Sequence, residues 1–246
     1  MSVEPSCVRS GTQEVFTIRG IGFKDTSSVQ VISGGTLVSY AVINNGEISA
    51  TINVTSGTLS LRVLNGIIPT AVYNITITPS STQNVIWTNT TGANVSGNTI
   101  TSKTSANSWT NCGPYSTAGI APCGGYMQFT IFGITNAQSE MIGLNADPGI
   151  DNNYLALDHA IYTTGTGATA NSYVYENGIF AGNLGTSPAG TVYRITVKHK
   201  VIEYNRNGVI VLTRPRNSVY SYYVDTSINR TGNSRISSVI ISGNLT

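Results

Sequence analysis

The run YRITVKHKVIEYNRNGVIVLT, residues 193–213, decides the fold class. Both halves alternate with period two and are rich in β-branched residues, as strands with one buried and one outward face are. Between them stands Asn207-Gly208, and an Asn-Gly step flanked by alternation is the strongest short-range hairpin signal. VYENGIF (174–180) repeats the frame around Asn177-Gly178, and further Asn-Gly steps lie at 45–46 and 65–66. In TLSLRVL (58–64), Leu59, Leu61 and Val63 share one face against Ser60 and Arg62. AVYNITIT (71–78) sets Ala71, Tyr73, Ile75 and Ile77 against Asn74, Thr76 and Thr78. No stretch of helical length places apolar residues at i, i+3, i+4 and i+7. An all-β protein of packed two-layer sandwiches is expected.

Composition narrows the milieu. Charged residues are 10% of the 246, against roughly 25% in an average soluble domain, and Ser, Thr, Asn and Gly fill the gap. A net charge of +2 without a basic cluster offers little to nucleic acid or anionic lipid, so neither is an expected partner. No run approaches the ~20 apolar residues that span a bilayer, so membrane insertion is not expected. MSVEPSCVRSGTQEVF lacks the basic and apolar regions of a secretory signal. A polar, Thr/Asn/Gly-rich β chain without such a signal suits a virion component released by lysis, a mature secreted fragment, or a piece of an adhesin.

The polar Pro/Ser-rich stretch PSSTQ (79–83) interrupts the alternation, which resumes at NVIWT. It reads as a boundary between a domain at 1–80 and a larger one at 84–246. Cys112 and Cys123 enclose a Gly/Pro-rich loop and could form a disulfide or stay as two reduced thiols. Cys7 has no evident partner, and no Cys/His cluster has zinc spacing.

FTIRGIGF (16–23), GTLSLRVLNG (57–66) and AVYNITIT (71–78) together resemble the IPT/TIG immunoglobulin-like domain. The resemblance implies a spacer or docking sandwich. A second series follows in order: NVIWTNTTGANVSGNTIT (84–101), SWTNCGPYST (108–117), GGYMQFTIFG (124–133), MIGLN (141–145), YLALDHAIY (154–162), VYENG, the 193–213 run and VYSYYVDTSI (219–228). This series resembles the concanavalin A-like jelly rolls, especially the SPRY-like set of phage and bacterial surface proteins. That resemblance implies a two-sheet sandwich that binds glycans or proteins, usually without catalysis.

Chemistry concentrates in GLNADPGIDNNYLALDHAIY (143–162). Glycosidases of related fold need two carboxylates, about 5–5.5 Å apart for retention or about 6.5–9.5 Å for inversion. No Glu-x-Asp-x-x-Glu pattern supplies them here. Asp158 and His159 are strand neighbours on opposite faces, so they form no dyad, and neither His159 nor His199 is expected to act as a base. Asp147, Asp151 and Asn153 could contribute to a calcium loop, yet Asp-Pro-Gly and Asp-Asn-Asn are also ordinary turn chemistry. No cofactor is expected, with calcium the one alternative left open. Sugar recognition wants a flat aromatic face beside amides and carboxylates. The candidates near predicted loops are Trp109, Tyr115, Asp147, Asp151, Asn152, Asn153, Tyr175 and Glu176. In the resembling family, Trp87 and Trp109 fall at positions that are usually core. SVYSYYVD (218–225) reads equally as an interface strand.

The sequence reading is a non-enzymatic surface protein of a virion: a capsid decoration, head fibre or tail receptor-binding component. Its partners would be a host surface glycan or protein and, through the first domain, other virion proteins, with a homo-oligomer possible. The alternatives are a fragment of a bacterial cell-surface adhesin and a structural virion accessory without glycan binding.

Overall fold

The computed structural model describes residues 1–103, 107–131, 138–149, 151–165, 169–216, 220–229 and 234–246. The chain divides into two compact units, Met1–Ser80 and Ser81–Thr246.

In the first unit the strands run β1 (Ser2–Glu4), β2 (Cys7–Arg9), β3 (Gln13–Arg19), β4 (Ser27–Ser33), β5 (Gly35–Asn44), β6 (Glu47–Val54), β7 (Thr58–Asn65), β8 (Ile68–Pro69) and β9 (Tyr73–Thr78). They form two sheets, β1-β3-β6-β5 and β2-β9-β7-β4, with β8 on β7. Each sheet turns its alternate apolar residues inward. Phe16, Ile18, Ile48 and Ile52 from one meet Leu59, Leu61, Val63 and Ile75 from the other. The unit is a β-sandwich.

The second unit begins with β10 (Ser81–Asn84), β11 (Trp87–Thr88), β12 (Ala93–Ser96), β13 (Thr99–Ser102), β14 (Tyr115–Ile131), β15 (Gln138–Asn145) and β16 (His159–Gly165). It continues with β17 (Thr169–Glu176), β18 (Ile179–Pro188), β19 (Val192–Val197), β20 (Val201–Arg206), β21 (Val209–Pro215), β22 (Tyr222–Ile228) and β23 (Arg235–Leu245). Two layers emerge from the pairing. The front layer is the first part of β14 with β22, β15, β16, β17 and β18. The back layer is β12, β13, β23, the second part of β14, β19, β20 and β21.

β14 serves both layers because it turns a corner at Gly124-Gly125. Gly124 has a positive φ of 98°, and a Cβ on Gly125 would stand 2.2 Å from the Ser242 carbonyl of β23. Only glycine lets the two backbones pass so closely. Between the layers, Ile142, Leu144, Ile161, Val174 and Val224 pack against Met127, Phe129, Tyr193, Ile195, Tyr204 and Ile241.

All four Asn-Gly steps close hairpins. At 177–178 and 207–208 both residues have positive φ, as a type I′ turn demands. At 45–46 the turn is held instead by Asn44, whose Oδ1 accepts from Gly46 N at 2.8 Å.

The Cys112–Cys123 bridge is not formed. Cys112 is a free, buried thiol, and Cys123 is disulfide-bonded elsewhere. The reason is geometric: Tyr115 to Cys123 is extended chain within β14, which at ~3.3 Å per residue separates the ends by about 26 Å. A disulfide tolerates no more than about 7 Å between Cα atoms.

Candidate functional site

One end of the front layer gathers most of the reactive side chains. There β15 ends, β16 and β22 begin, and the loop from Ala146 to Asp158 crosses between them. A cleft of about 410 Å³ opens at this point, lined by Ala146, Asp147, Asp158, Tyr220 and Tyr222. Asp158 Oδ2 accepts from Ala146 N at 2.9 Å, and burial holds its carboxyl above the usual carboxylate range. Asp225, on the neighbouring β22, is pushed up to about 7, first by burial and in smaller part by the charges of Asp151 and Asp147. Asn145 Nδ2 donates to it at 2.8 Å. The end is thus acidic and hydroxyl-rich.

Behind the cleft, the two layers are joined by a polar cluster. Ala160 pairs with Tyr175 across β16 and β17, which sets His159 opposite Glu176. Both point inward, where they meet Tyr204 and Arg214 of the back layer. His159 Nδ1 lies 3.3 Å from Glu176 Oε1 and 3.4 Å from Tyr204 Oη, and Tyr204 donates to Glu176 Oε1 at 3.1 Å. Arg214 Nε donates to Glu176 Oε2 at 3.1 Å. Burial lowers the His159 pKa while Glu176 pulls it back up. Burial, then the Glu176 charge, drives the Tyr204 phenol far above its ordinary value. The His159 ring stacks edge-on to Tyr222, a cleft residue, at 5.7 Å. Arg216 lies over the Tyr222 ring, 5.3 Å from its centroid, and is anchored to the carbonyls of Lys198 and Tyr220 at 3.1 Å each. An imidazole oriented by a carboxylate is an arrangement that general acid–base chemistry uses.

The outer face of the same layer is aromatic. Trp109 contacts Tyr154 at 5.2 Å and Tyr162 at 5.6 Å, and the series continues through Tyr175 to Phe180. Met141, Leu157 and Ala160 form its buried floor. Phe180 is 56% exposed and Ile179 72% exposed at the hairpin tip, so the strip reaches solvent.

The sequence candidates separate accordingly. Asp147 lines the cleft, and Trp109 and Tyr175 belong to the aromatic face. Tyr115 packs its ring against Gly149, where a Cβ would sit 2.9 Å from the phenol oxygen. The remaining loop residues hold the chain's own backbone. Asp151 Oδ1 accepts from Asn153 N at 2.7 Å, and Asn153 Oδ1 caps the single turn 154–156 through Leu155 N. Asn152 bridges Asn89 at 2.8 Å and the Thr110 carbonyl at 3.2 Å. Among the described residues no group of three His, Cys, Asp or Glu could hold a metal ion. Ile150, inside this loop, and 217–219, where the Tyr-rich stretch begins, lie outside the described residues.

Glu176 stands apart from Tyr175: it faces the interior and partners His159. Sequence reasoning missed His159, Tyr204, Arg214 and Asp158 as one neighbourhood. The alternation of VYENG already placed Tyr175 and Glu176 on opposite faces.

No family model matches the chain, and no curated protein matches it. Solved structures of similar fold include an alginate lyase from Alteromonas sp. 272, with 12% identity over 59% of this chain and 81% of that one, at a TM-score of 0.35. Alginate lyase AlyC3 is similar at 14% identity over 57% and 71%, with a TM-score of 0.36. The exoplasmic/lumenal domain of VIP36, in a Ca2+/Man3GlcNAc-bound form, is similar at 5% identity over 68% and 84%, with a TM-score of 0.41.

With alginate lyases among these structures, the expectation of a non-enzymatic protein is corrected. That expectation rested on a missing carboxylate pair and on reading neither His159 nor His199 as a base. The His159–Glu176 pair, assembled from two strands, is a group of the kind the earlier reasoning had excluded.

Proposed function

We propose that the second unit engages a polysaccharide, with the cleft at Asp147, Asp158, Tyr220 and Tyr222 as its saccharide site. The observation that carries this is the cleft itself. Its volume of about 410 Å³ falls in the size range of small-molecule sites. The exposed Tyr220 ring offers a face for pyranose C–H groups, and the two carboxylates of the cleft accept from hydroxyls. The aromatic face supplies a continuation for a longer chain.

A second reading, favoured by the His159–Glu176 contact at 3.3 Å behind the cleft residue Tyr222, is that the bound polysaccharide is also cleaved. The setting we propose is an exterior surface, a virion in the first instance, with the first unit as a spacer or docking module. The low charge and the disulfide at Cys123 support an exterior location. The domain types put forward are the IPT/TIG-like and SPRY-like sandwiches that the sequence resembles.

The test is a glycan array and calorimetry on the full chain, beside Asp158→Asn and Tyr220→Ala, with and without EDTA. Binding lost in both variants supports the cleft, and loss on chelation adds calcium to it. Binding unaffected by either substitution refutes the cleft as the site. Incubation with the bound polysaccharide, read by ultraviolet absorbance of an unsaturated product and by new reducing ends, tests cleavage. His159→Ala should abolish any such signal.

A further inference from the structure

The outer face of the back layer holds an arginine that no carboxylate among the described residues pairs with. The registers of β14, β19 and β20 place Gln128, Arg194 and Asn205 side by side in one row. Their strand neighbours Phe129, Tyr193 and Tyr204 face the core, so alternation turns the row outward. Arg194 is held from two directions. Its guanidinium carbon lies 3.9 Å over the Tyr126 ring, and Nε and Nη2 both donate to Gln128 Oε1, at 3.1 and 2.7 Å.

A guanidinium carries five N–H donors. The Gln128 contacts use two, and no carboxylate among the described residues pairs with the others. Glu203, the acid on this face, is engaged by Lys198 Nζ at 2.7 Å. In front of Arg194 is a hollow of about 90 Å³, lined by Gln128, Val192, Arg194, Asn205 and Gly208. Water takes about 30 Å³ per molecule, so the hollow has room for a carboxylate group and little more. It is far too small for a whole sugar ring.

The stacking and the two donations fix the guanidinium at the edge of the hollow. Holding the fork in place before binding removes the side-chain entropy that capture of an anion would otherwise cost. The neighbours are amides and a hydroxyl, Gln128, Asn205 and Thr196, which suits a ligand rich in hydroxyl groups. We propose that Arg194, flanked by Gln128 and Asn205, binds the carboxylate of a uronic-acid residue in an acidic polysaccharide. The site lies on the opposite layer from the cleft. It takes the chemical class of its ligand, but not its position, from the carbohydrate reading.

The test is titration of the full ¹⁵N-labelled chain, observed at the side-chain resonances of Arg194 Nε and Gln128 Nε2. The probes are an oligouronate, a neutral oligosaccharide of equal length and a hexaglutamate peptide, each at millimolar concentration. The oligouronate should shift both resonances, and the neutral sugar should not. Arg194→Gln should weaken oligouronate binding at least about tenfold, and Arg194→Lys nearly as much, because the charge stays but the fork is lost. Asn205→Ala, on the surface beside it, gives a second variant that does not depend on removing the arginine. Its binding should weaken with the fold intact.

Absence of shifts at both side chains, or binding equal in Arg194→Gln, overturns the proposal. Hexaglutamate binding as tight as the oligouronate overturns the saccharide class. Shifts at Arg194 and Gln128 with none in the cleft would uphold this site and show that the cleft does not take the oligouronate. Shifts confined to the cleft would do the reverse.

Discussion

Glu140 makes the second unit's stability depend on pH in a direction opposite to the usual carboxylate. The residue lies on the inner face of β15, 4% exposed. Its Oε1 accepts from Thr163 Oγ1 at 2.8 Å, while Oε2 has no partner among the described residues. Burial raises its pKa from 4.5 to about 8, against smaller opposing contributions from Thr163 and Ser234. The folded chain therefore keeps a proton that the unfolded chain gives up above pH 4.5. Between 4.5 and about 8 the unfolded state binds fewer protons, so stability must fall as pH rises. The slope is about 1.4 kcal/mol per pH unit, and over the whole window the loss reaches ~5 kcal/mol as an upper limit. That is a large part of a typical domain's stability of roughly 5–15 kcal/mol.

Asp225, raised to about 7, acts in the same sense below pH 7. His159, whose pKa is lowered, acts in the opposite sense below 6.5. Between pH 7 and 8 Glu140 dominates. Urea denaturation followed by tryptophan fluorescence isolates the effect, because both tryptophans, Trp87 and Trp109, lie in the second unit. Wild type should lose about 1 kcal/mol or more from pH 7 to 8. Glu140→Gln, a neutral isostere, should be flat over that interval and more stable than wild type at pH 8. A wild-type slope of zero or of opposite sign would refute the burial argument, and so would an undiminished slope in the variant.

Three further outcomes follow from contacts already described. Glu176→Gln removes the charge that supports protonated His159, so the imidazole pKa measured by NMR should fall further below 6.5; no change would mean the 3.3 Å contact is electrostatically idle. Gly143→Ala places a Cβ 2.0 Å from the His159 carbonyl, which should cost about 1–3 kcal/mol and separate β15 from β16. An unchanged melting temperature would show that the strands yield there at no cost. Cys112, whose thiol burial pushes up to about 11, should resist Ellman's reagent at pH 8 in the native protein and react once the chain is unfolded. Prompt reaction in the native state would refute its burial.

What the sequence makes legible follows from the range of each interaction. Period-two alternation and Asn-Gly turns are local, and they sufficed for an all-β chain of sandwiches. The same local rule, applied evenly, would have corrected the site. Tyr175 and Glu176 are strand neighbours, so one sugar face could never use both, just as Asp158 and His159 could never form a dyad. The real partner of His159 comes from the next strand. Finding it requires the register that pairs Ala160 with Tyr175, and register is set by which residues the core accepts across the whole sheet.

The cleft has the same character: Asp147 and Asp158 flank a loop, but Tyr220 and Tyr222 arrive from more than sixty positions later along the chain. The disulfide error has the converse cause. A spacing that looked like a loop was in fact a strand, and only the pairing of β14 with β11, β22 and β23 reveals that it is extended. In a β-sandwich the chemistry lies between strands, where one-dimensional spacing carries least information. A sheet site is therefore better sought by asking which outward or inward parity a residue has than by asking how near its neighbours are in sequence. By that criterion Gln128, Arg194 and Asn205, all of outward parity on three adjacent strands, stand out as a group, although Gln128 and Arg194 are 66 positions apart in the chain.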